Sequence, residues 1–236
     1  MLTRVRADNL EVEQFASDLH RICGSFDVRP NGGQRQMRGH IHLETRAGIE
    51  FAHVGQDVQQ VVRNKQCIRK DASENYFLIL QEEGRAMMSQ NDGSTMLHPG
   101  DMILIDSACP SEFTFFGTYA RQLSLHLPRA EMHARFGYDL IRGGISLPRT
   151  DPTTMALCAV LGKVIGAVPP NPASSVYLRE AVFGLIGAML IARIPQRRIG
   201  KPEHLDAGRE AIEATPGIMG VVNPNSPLVW DGLMAD

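Results

Sequence analysis

Three side chains in one short run have the types and spacing for metal chemistry. In His40-Ile41-His42-Leu43-Glu44 the two imidazoles and the carboxylate recur at every second position. On a β-strand they project to one face, and two imidazoles with a carboxylate form a facial triad suited to non-haem iron or manganese. The competing reading is that the run lines the polar face of an edge strand. So short a match occurs often by chance. A second alternation lies at Gln122, Ser124 and His126, interleaved with Leu123, Leu125 and Leu127. If that polar face turns inward it can orient a ligand; if outward, it is solvated, the commoner arrangement in antiparallel sheets. Cys109 precedes Pro110 in a turn-like stretch, and its thiol would need a basic or helix-terminal setting to become reactive; a structural thiol is the expectation. No GxSxG, Walker or dinucleotide fingerprint is present.

The elements that must carry these residues are legible in outline. Val12, Phe15, Ala16, Leu19 and Ile22 fall on one face of a helix, with Asp8 or Asn9 as candidate caps and Cys23-Gly24 as its end. From Met37 to Leu127 the pattern changes to nine short strands: 37–43, 49–54, 58–63, 76–80, 85–90, 95–97, 102–105, 112–116 and 121–127. Asn91-Asp92-Gly93-Ser94 is the clearest hairpin turn, Asp-Gly suiting the positive φ angles of type I′. Nine strands without helices between them form an antiparallel barrel or sandwich rather than βαβ units.

Beyond Pro128 the helical period returns. Met155, Leu157, Cys158, Leu161, Val164 and Ile165 make one apolar face, and Val176 to Arg193 is apolar almost all round, with Ser174 or Ser175 to cap it. Such a helix must be covered on every side. Its neighbour helix and the barrel cover part; the rest, with the small residues Gly184, Gly187 and Ala188, suits a second copy of the chain. The expected fold class is α+β: an N-terminal helix and arm (1–35), a cupin-like barrel (36–130), a helical hairpin used for dimerisation (131–194) and a Pro/Gly-rich tail (195–236). The barrel interior is the expected ligand pocket. Tyr76, Met87, Phe113 and Phe115 are its candidate apolar lining, and Gln122, Ser124 and His126 its candidate polar groups.

Composition narrows the function. The 236 residues carry 24 Lys and Arg against 26 Asp and Glu, a formal net charge of −2, which gives no basic field for nucleic acid. The four cysteines, Cys23, Cys67, Cys109 and Cys158, are scattered and form no CxxC pair, the usage of a reducing, cytoplasmic setting. The longest strongly apolar stretch, 181–192, falls short of the ~20 residues that span a bilayer. No membrane partner is expected.

An ordered set of segments carries a family resemblance. Tyr76-Phe77-Leu78-Ile79-Leu80-Gln81-Glu82-Glu83-Gly84-Arg85-Ala86-Met87-Met88 is followed by His98-Pro99-Gly100-Asp101-Met102-Ile103-Leu104-Ile105-Asp106-Ser107-Ala108-Cys109-Pro110, and then by 121–129; Ile22-Cys23-Gly24-Ser25-Phe26 fits the same set. Over residues 8–193 this resembles the cupin-like sensor half of AraC/XylS-family transcriptional regulators, most of all the activators of phenylethylamine and tyramine catabolism. The resemblance implies a cytoplasmic, homodimeric activator and not an enzyme. Its barrel senses a small aromatic amine or aldehyde without metal or cofactor. Promoter DNA and RNA polymerase are reached through a C-terminal domain with two helix-turn-helix motifs. The 43 residues after Arg193 are too few and too rich in proline for that domain, so the expectation is a regulator truncated before it. The rival expectation is a metal-dependent cupin dioxygenase or isomerase using His40, His42 and Glu44, with His98 or His126 as a further ligand.

Overall fold

Two antiparallel sheets enclose one core, and a helical hairpin closes a second core on the outside of the larger sheet. The structure, a computed structural model, describes residues 8–71, 74–166 and 172–193. They belong to the first of two units, Met1–Ile194. The second, Pro195–Asp236, and with it the expected tail, lies outside the described residues.

In chain order the strands are β1 (Asp8–Glu11), β2 (Asp27–Arg29), β3 (Gln36–Arg46), β4 (Ile49–Gln56), β5 (Gln60–Arg63), β6 (Asn75–Glu83), β7 (Ala86–Gln90), β8 (Gly93–Leu97), β9 (Met102–Asp106), β10 (Ser111–Thr114), β11 (Ala120–Pro128) and β12 (Ile145–Leu147). The helices are α1 (Val12–Cys23), α2 (Lys65–Lys70), α3 (Arg129–Phe136), α4 (Pro152–Gly166) and α5 (Pro172–Ile191). The larger sheet runs β1-β3-β4-β11-β6-β9-β12 and the smaller β2-β5-β10-β7-β8. All nine expected strands are present, together with three short ones at the edges.

The alternation of side chains sorts the two cores. On β6, Phe77 and Ile79 face the interior between the sheets, joined by Ile103, Ile105, Val54 and Met88. Leu78 and Leu80 face the opposite way, where Leu104, Leu123 and Leu125 meet Leu157 and Leu161 of α4 and Val182, Phe183 and Ile186 of α5. Strands buried on both faces read as continuous apolar runs, which is why 76–80 and 102–105 show no alternation.

Local details depart from the sequence expectations. Residues 8–11 form a strand paired with β3 rather than a capping segment, and Glu11 precedes α1 without a side-chain cap. The tight turn between β7 and β8 places Asn91 and Asp92 at positive φ, 52° and 62°. The type I′ pair is therefore Asn91-Asp92, and Gly93 already belongs to β8. The six-residue α2 interrupts the strands, its first turn held by Asn64, whose side chain accepts from the amides of Gln66 and Cys67. Helix α5 begins at Pro172, so Ser174 and Ser175 lie inside it rather than capping it. Gly187 is buried within the chain: a Cβ there would sit 2.7 Å from the Phe136 ring. Gly184 and Ala188 are exposed.

Candidate ligand cavity

The last long strand decides where the polar groups go. On β11 Leu123, Leu125 and Leu127 join the core under α4 and α5. The other side of β11 therefore turns into the barrel rather than to water, and Gln122, Ser124 and His126 are 6%, 6% and 5% exposed. Of the two orientations open to this alternation, the structure adopts the inward one.

An apolar cavity of about 60 Å³ lies between the sheets beneath α1. Phe15, Leu19 and Cys23 of α1 and Phe26 just after it form its roof; Phe113 of β10 and the following Phe115 form one wall. The facing wall is Phe77 and Ile79 of β6, Val54 and Gln56 of β4, and Gln122 and Ser124 of β11, with Val61 of β5 completing the lining. No charged side chain lines it. An isolated twelve-residue helix is marginal in water, so α1 is held by this packing; each fully buried side chain of the size of Phe15 or Leu19 contributes ~1.5–3 kcal/mol.

Four of the seven expected site residues, Phe113, Phe115, Gln122 and Ser124, meet at the cavity. His126 lies further along the same face of β11, with Nε2 3.8 Å from Cys23 Sγ and its ring edge-on to Phe77 at 5.0 Å. Burial pulls the His126 pKa below its ordinary 6.5, against the opposing pull of the Glu50 carboxylate. Burial pushes the Cys23 thiol up to about 12, so the residue behaves as a small apolar group.

Tyr76 and Met87 lie away from the cavity. The Tyr76 side chain belongs to the outer core; its hydroxyl accepts from Arg129 Nη1 at 2.9 Å and is hydrogen-bonded to His133 Nε2 at 3.0 Å. Met87 alternates with the buried Ala86 and Met88 of β7, which turns it from the interior toward Met96, its partner on β8. The roof residues were legible only as an amphipathic helix face. Gln56, 1% exposed, carried no signal, because a polar residue beside Gly55 and Asp57 reads as part of a turn.

The His40, His42 and Glu44 run does share one face of β3, opposite Phe51, His53 and Gly55 of β4 and outside the barrel. His53 Nε2 donates to Glu44 Oε1 at 2.8 Å and Arg46 Nε donates to Glu44 Oε2 at 2.9 Å. Burial pushes the Glu44 carboxyl up, but these two bonds outweigh it and hold it below the usual value. The carboxylate is thus committed to two donors, and the ring of His40 covers Gly55. His98 is exposed and His126 lies inside the barrel, so neither joins the run. Among the described residues no group of three or more His, Cys, Asp or Glu is arranged to hold a metal ion.

The sequence model of the AraC-binding-like domain matches residues 15–191, well over half of the chain. The chain belongs to the AraC-binding-like domain family. An uncharacterized protein of the nit 5′ region of Bacillus sp. (strain OxB-1) is 32% identical over 124 residues, 51% of this chain and 47% of that protein. The transcriptional activator NphR of Rhodococcus sp. is 25% identical over 131 residues, 56% of this chain and 39% of the activator. This AraC-binding-like chain thus spans about half or less of the curated relatives it matches. In fold it is similar to the crystal structure of the AraC-like transcriptional activator CuxR, with a TM-score of 0.66 at 12% identity over 82% of this chain and 73% of that one. The α+β architecture, with a cupin-like pair of antiparallel sheets flanked by helices, is the one expected from the sequence.

Proposed function

We propose that this AraC-binding-like domain is the ligand-sensing and dimerising part of a cytoplasmic AraC-type transcriptional activator. Its barrel takes up a small aromatic amine or aldehyde and regulates genes for aromatic-amine catabolism. The observation that carries the reading is the cavity beneath α1, roofed by Phe15, Leu19 and Cys23. An aromatic ligand is larger than this space of about 60 Å³, so it is accommodated only as α1 moves outward, and its binding free energy biases the position of α1, which is what a population-shift sensor requires. The relative NphR, named a transcriptional activator, supports the regulatory role.

Dimerisation through the helical hairpin is supported by α5. Tyr177 and Ile191 are 77% and 61% exposed and share its outer side with Ala181, Gly184 and Ala188. Among the described residues one helix, Ala173–Ile191, is long and apolar enough to cross a membrane. Its Val182, Phe183 and Ile186 are packed in the outer core, which favours a core helix. Contact with promoter DNA and RNA polymerase is assigned to a DNA-binding domain beyond this sensor half.

A thermal-shift panel of phenylethylamine, tyramine, phenylacetaldehyde and 4-hydroxyphenylacetaldehyde tests the reading, with iron, manganese and chelator as parallel conditions. A ligand at a hundred times its Kd stabilises by ~2.7 kcal/mol, a rise of roughly 5–10 °C for a domain of this size. A shift with metal alone, reversed by chelator, contradicts it and favours the metal-dependent enzyme.

A further inference from the structure

Gln56 is the exception among the buried amides of the barrel. Gln122 Nε2 donates to Gln81 Oε1 at 2.8 Å, and Gln81 Nε2 donates to the Glu83 carbonyl at 2.7 Å. Gln90 Nε2 donates to the Asp106 carbonyl at 2.9 Å, and its Oε1 accepts from the Asp106 amide at 2.8 Å. Gln56 lines the cavity and is 1% exposed, yet neither its Nε2 nor its Oε1 has a hydrogen-bond partner among the described residues. Its cross-strand neighbours are Gly39 on β3 and Ala120 on β11, two residues with no polar side chain to offer. A buried amide with both ends unsatisfied is costly and rare in a folded protein. Here it stands at the wall of an otherwise apolar space.

The second observation is the charge of the surroundings. The polar side chains on the cavity wall are Gln56, Gln122 and Ser124, all neutral. Cys23 on the lining is a neutral thiol, burial keeps the neighbouring His126 toward its neutral form, and the charged Arg63 lies behind the Phe26 ring, committed to Asp71. An ammonium or carboxylate entering the cavity loses its water and meets no counter-charge.

Taking the cavity as the ligand site proposed above, we infer that Gln56 is its recognition residue and that it narrows the amine-or-aldehyde class: the protonated amine is excluded, and among uncharged aromatic molecules the best ligand carries one small polar group that both donates and accepts a hydrogen bond. A primary carboxamide is the simplest such group: its N–H₂ donates to Gln56 Oε1 while its carbonyl accepts from Gln56 Nε2. A phenol hydroxyl can do the same. An aldehyde satisfies only Nε2, a hydrocarbon neither end. The site therefore rejects an arylethylammonium or an arylacetate and grades neutral aromatics by how completely they pair Gln56.

The test is calorimetric titration of the whole chain at pH 7 with five probes of similar shape: phenylacetamide, phenylacetaldehyde, ethylbenzene, phenylethylamine and phenylacetate. Phenylacetamide is expected to bind tightest and ethylbenzene about tenfold to a hundredfold more weakly, with the two charged probes weaker still. In Gln56→Leu the preference for phenylacetamide over ethylbenzene collapses, while ethylbenzene binds at least as well as before. The wild-type ranking stands as a test by itself if that variant fails to fold. Binding of ethylbenzene equal to phenylacetamide, or an amide preference surviving Gln56→Leu, overturns the role of Gln56 and leaves the cavity as a ligand site. A charged probe binding as tightly as the amide overturns the requirement for a neutral ligand. Binding of none of the five overturns the cavity reading and this inference together.

Discussion

Arg63 and Asp71 form a two-point ion pair at the end of the roof helix: Nη2 to Oδ1 at 2.7 Å and Nη1 to Oδ2 at 3.0 Å. The Arg63 side chain is 1% exposed. It also donates to the carbonyls of Ser25 at 2.8 Å and Ser107 at 2.7 Å, and its guanidinium lies 5.3 Å from the centre of the Phe26 ring. Asp71 in turn accepts from the Ser25 amide. The chain leaving α1 is thus tied to β5 by a charge pair in which nearly every donor is used. Gly24, at φ +100°, is required there, because a Cβ would lie 2.8 Å from the Asp71 carboxylate.

Removing one member of a buried pair leaves the other uncompensated, which costs about 3–5 kcal/mol. Arg63→Met is therefore expected to lower the urea midpoint by that equivalent. In hydrogen exchange, amides of α1 should lose protection before those of β6 or β11. Uniform loss across all three elements would contradict the role of this pair as the tether of the roof.

Acid should weaken the fold through His126. Its folded pKa is depressed by burial, so the unfolded chain takes up a proton near pH 6.5 that the folded chain refuses. Stability is then complete above pH 6.5 and is lost as the pH falls below it. Melting temperatures from pH 7.5 to 5.5 should decline in the wild type and stay flatter in His126→Gln. The carboxyls held low by partners, Asp18, Glu44 and Glu180, begin from ordinary values of 3.8, 4.5 and 4.5, and their contribution is lost at more acid pH. Parallel declines in the two proteins would contradict the assignment.

Two glycines of α5 should respond oppositely to alanine. Within one chain a new Cβ at Gly184 meets nothing within 4 Å, so the gain in helix propensity is expected to stabilise the monomer by ~0.5–1 kcal/mol. At Gly187 it meets the Phe136 ring, and overpacking of that kind typically costs ~1–3 kcal/mol. Urea titrations of both variants check the sign of each change.

Ala181→Glu probes the exposed side of α5. The side chain points away from the rest of the chain, so the melting temperature of the monomer should be almost unchanged. In sedimentation velocity the wild type is expected as a dimer and the variant as a monomer. A dimer unaffected by the glutamate would move the interface off this face.

The nine principal strands were legible because polar or glycine-bearing turns separate them, and α1 because its apolar residues recur at helical spacing. What the sequence withheld follows from the same physics. Tyr76 and Phe77 are neighbours in an apolar run, and only the α4–α5 layer reveals that they face different cores. Helix α2 is too short to show a period, and only the structure shows Asn64 capping it. His40, His42 and Glu44 do share a face, but the partner that commits Glu44, His53, comes from the neighbouring strand, and no spacing within one strand could disclose it. Gln56 is the sharpest case. Its significance lies in the partners it lacks, and that becomes visible only once Gly39 and Ala120 are paired beside it.

The central claim, that the space beneath α1 is the sensing site, is tested most directly by methyl NMR of the chain titrated with phenylacetamide and phenylacetaldehyde. Leu19, Val54, Val61 and Ile79 line the cavity, whereas Leu78, Leu104, Leu125 and Ile186 lie in the outer core. The account predicts saturable shifts in the first group and little change in the second. Saturable shifts confined to the outer core, or none in either group, would contradict it.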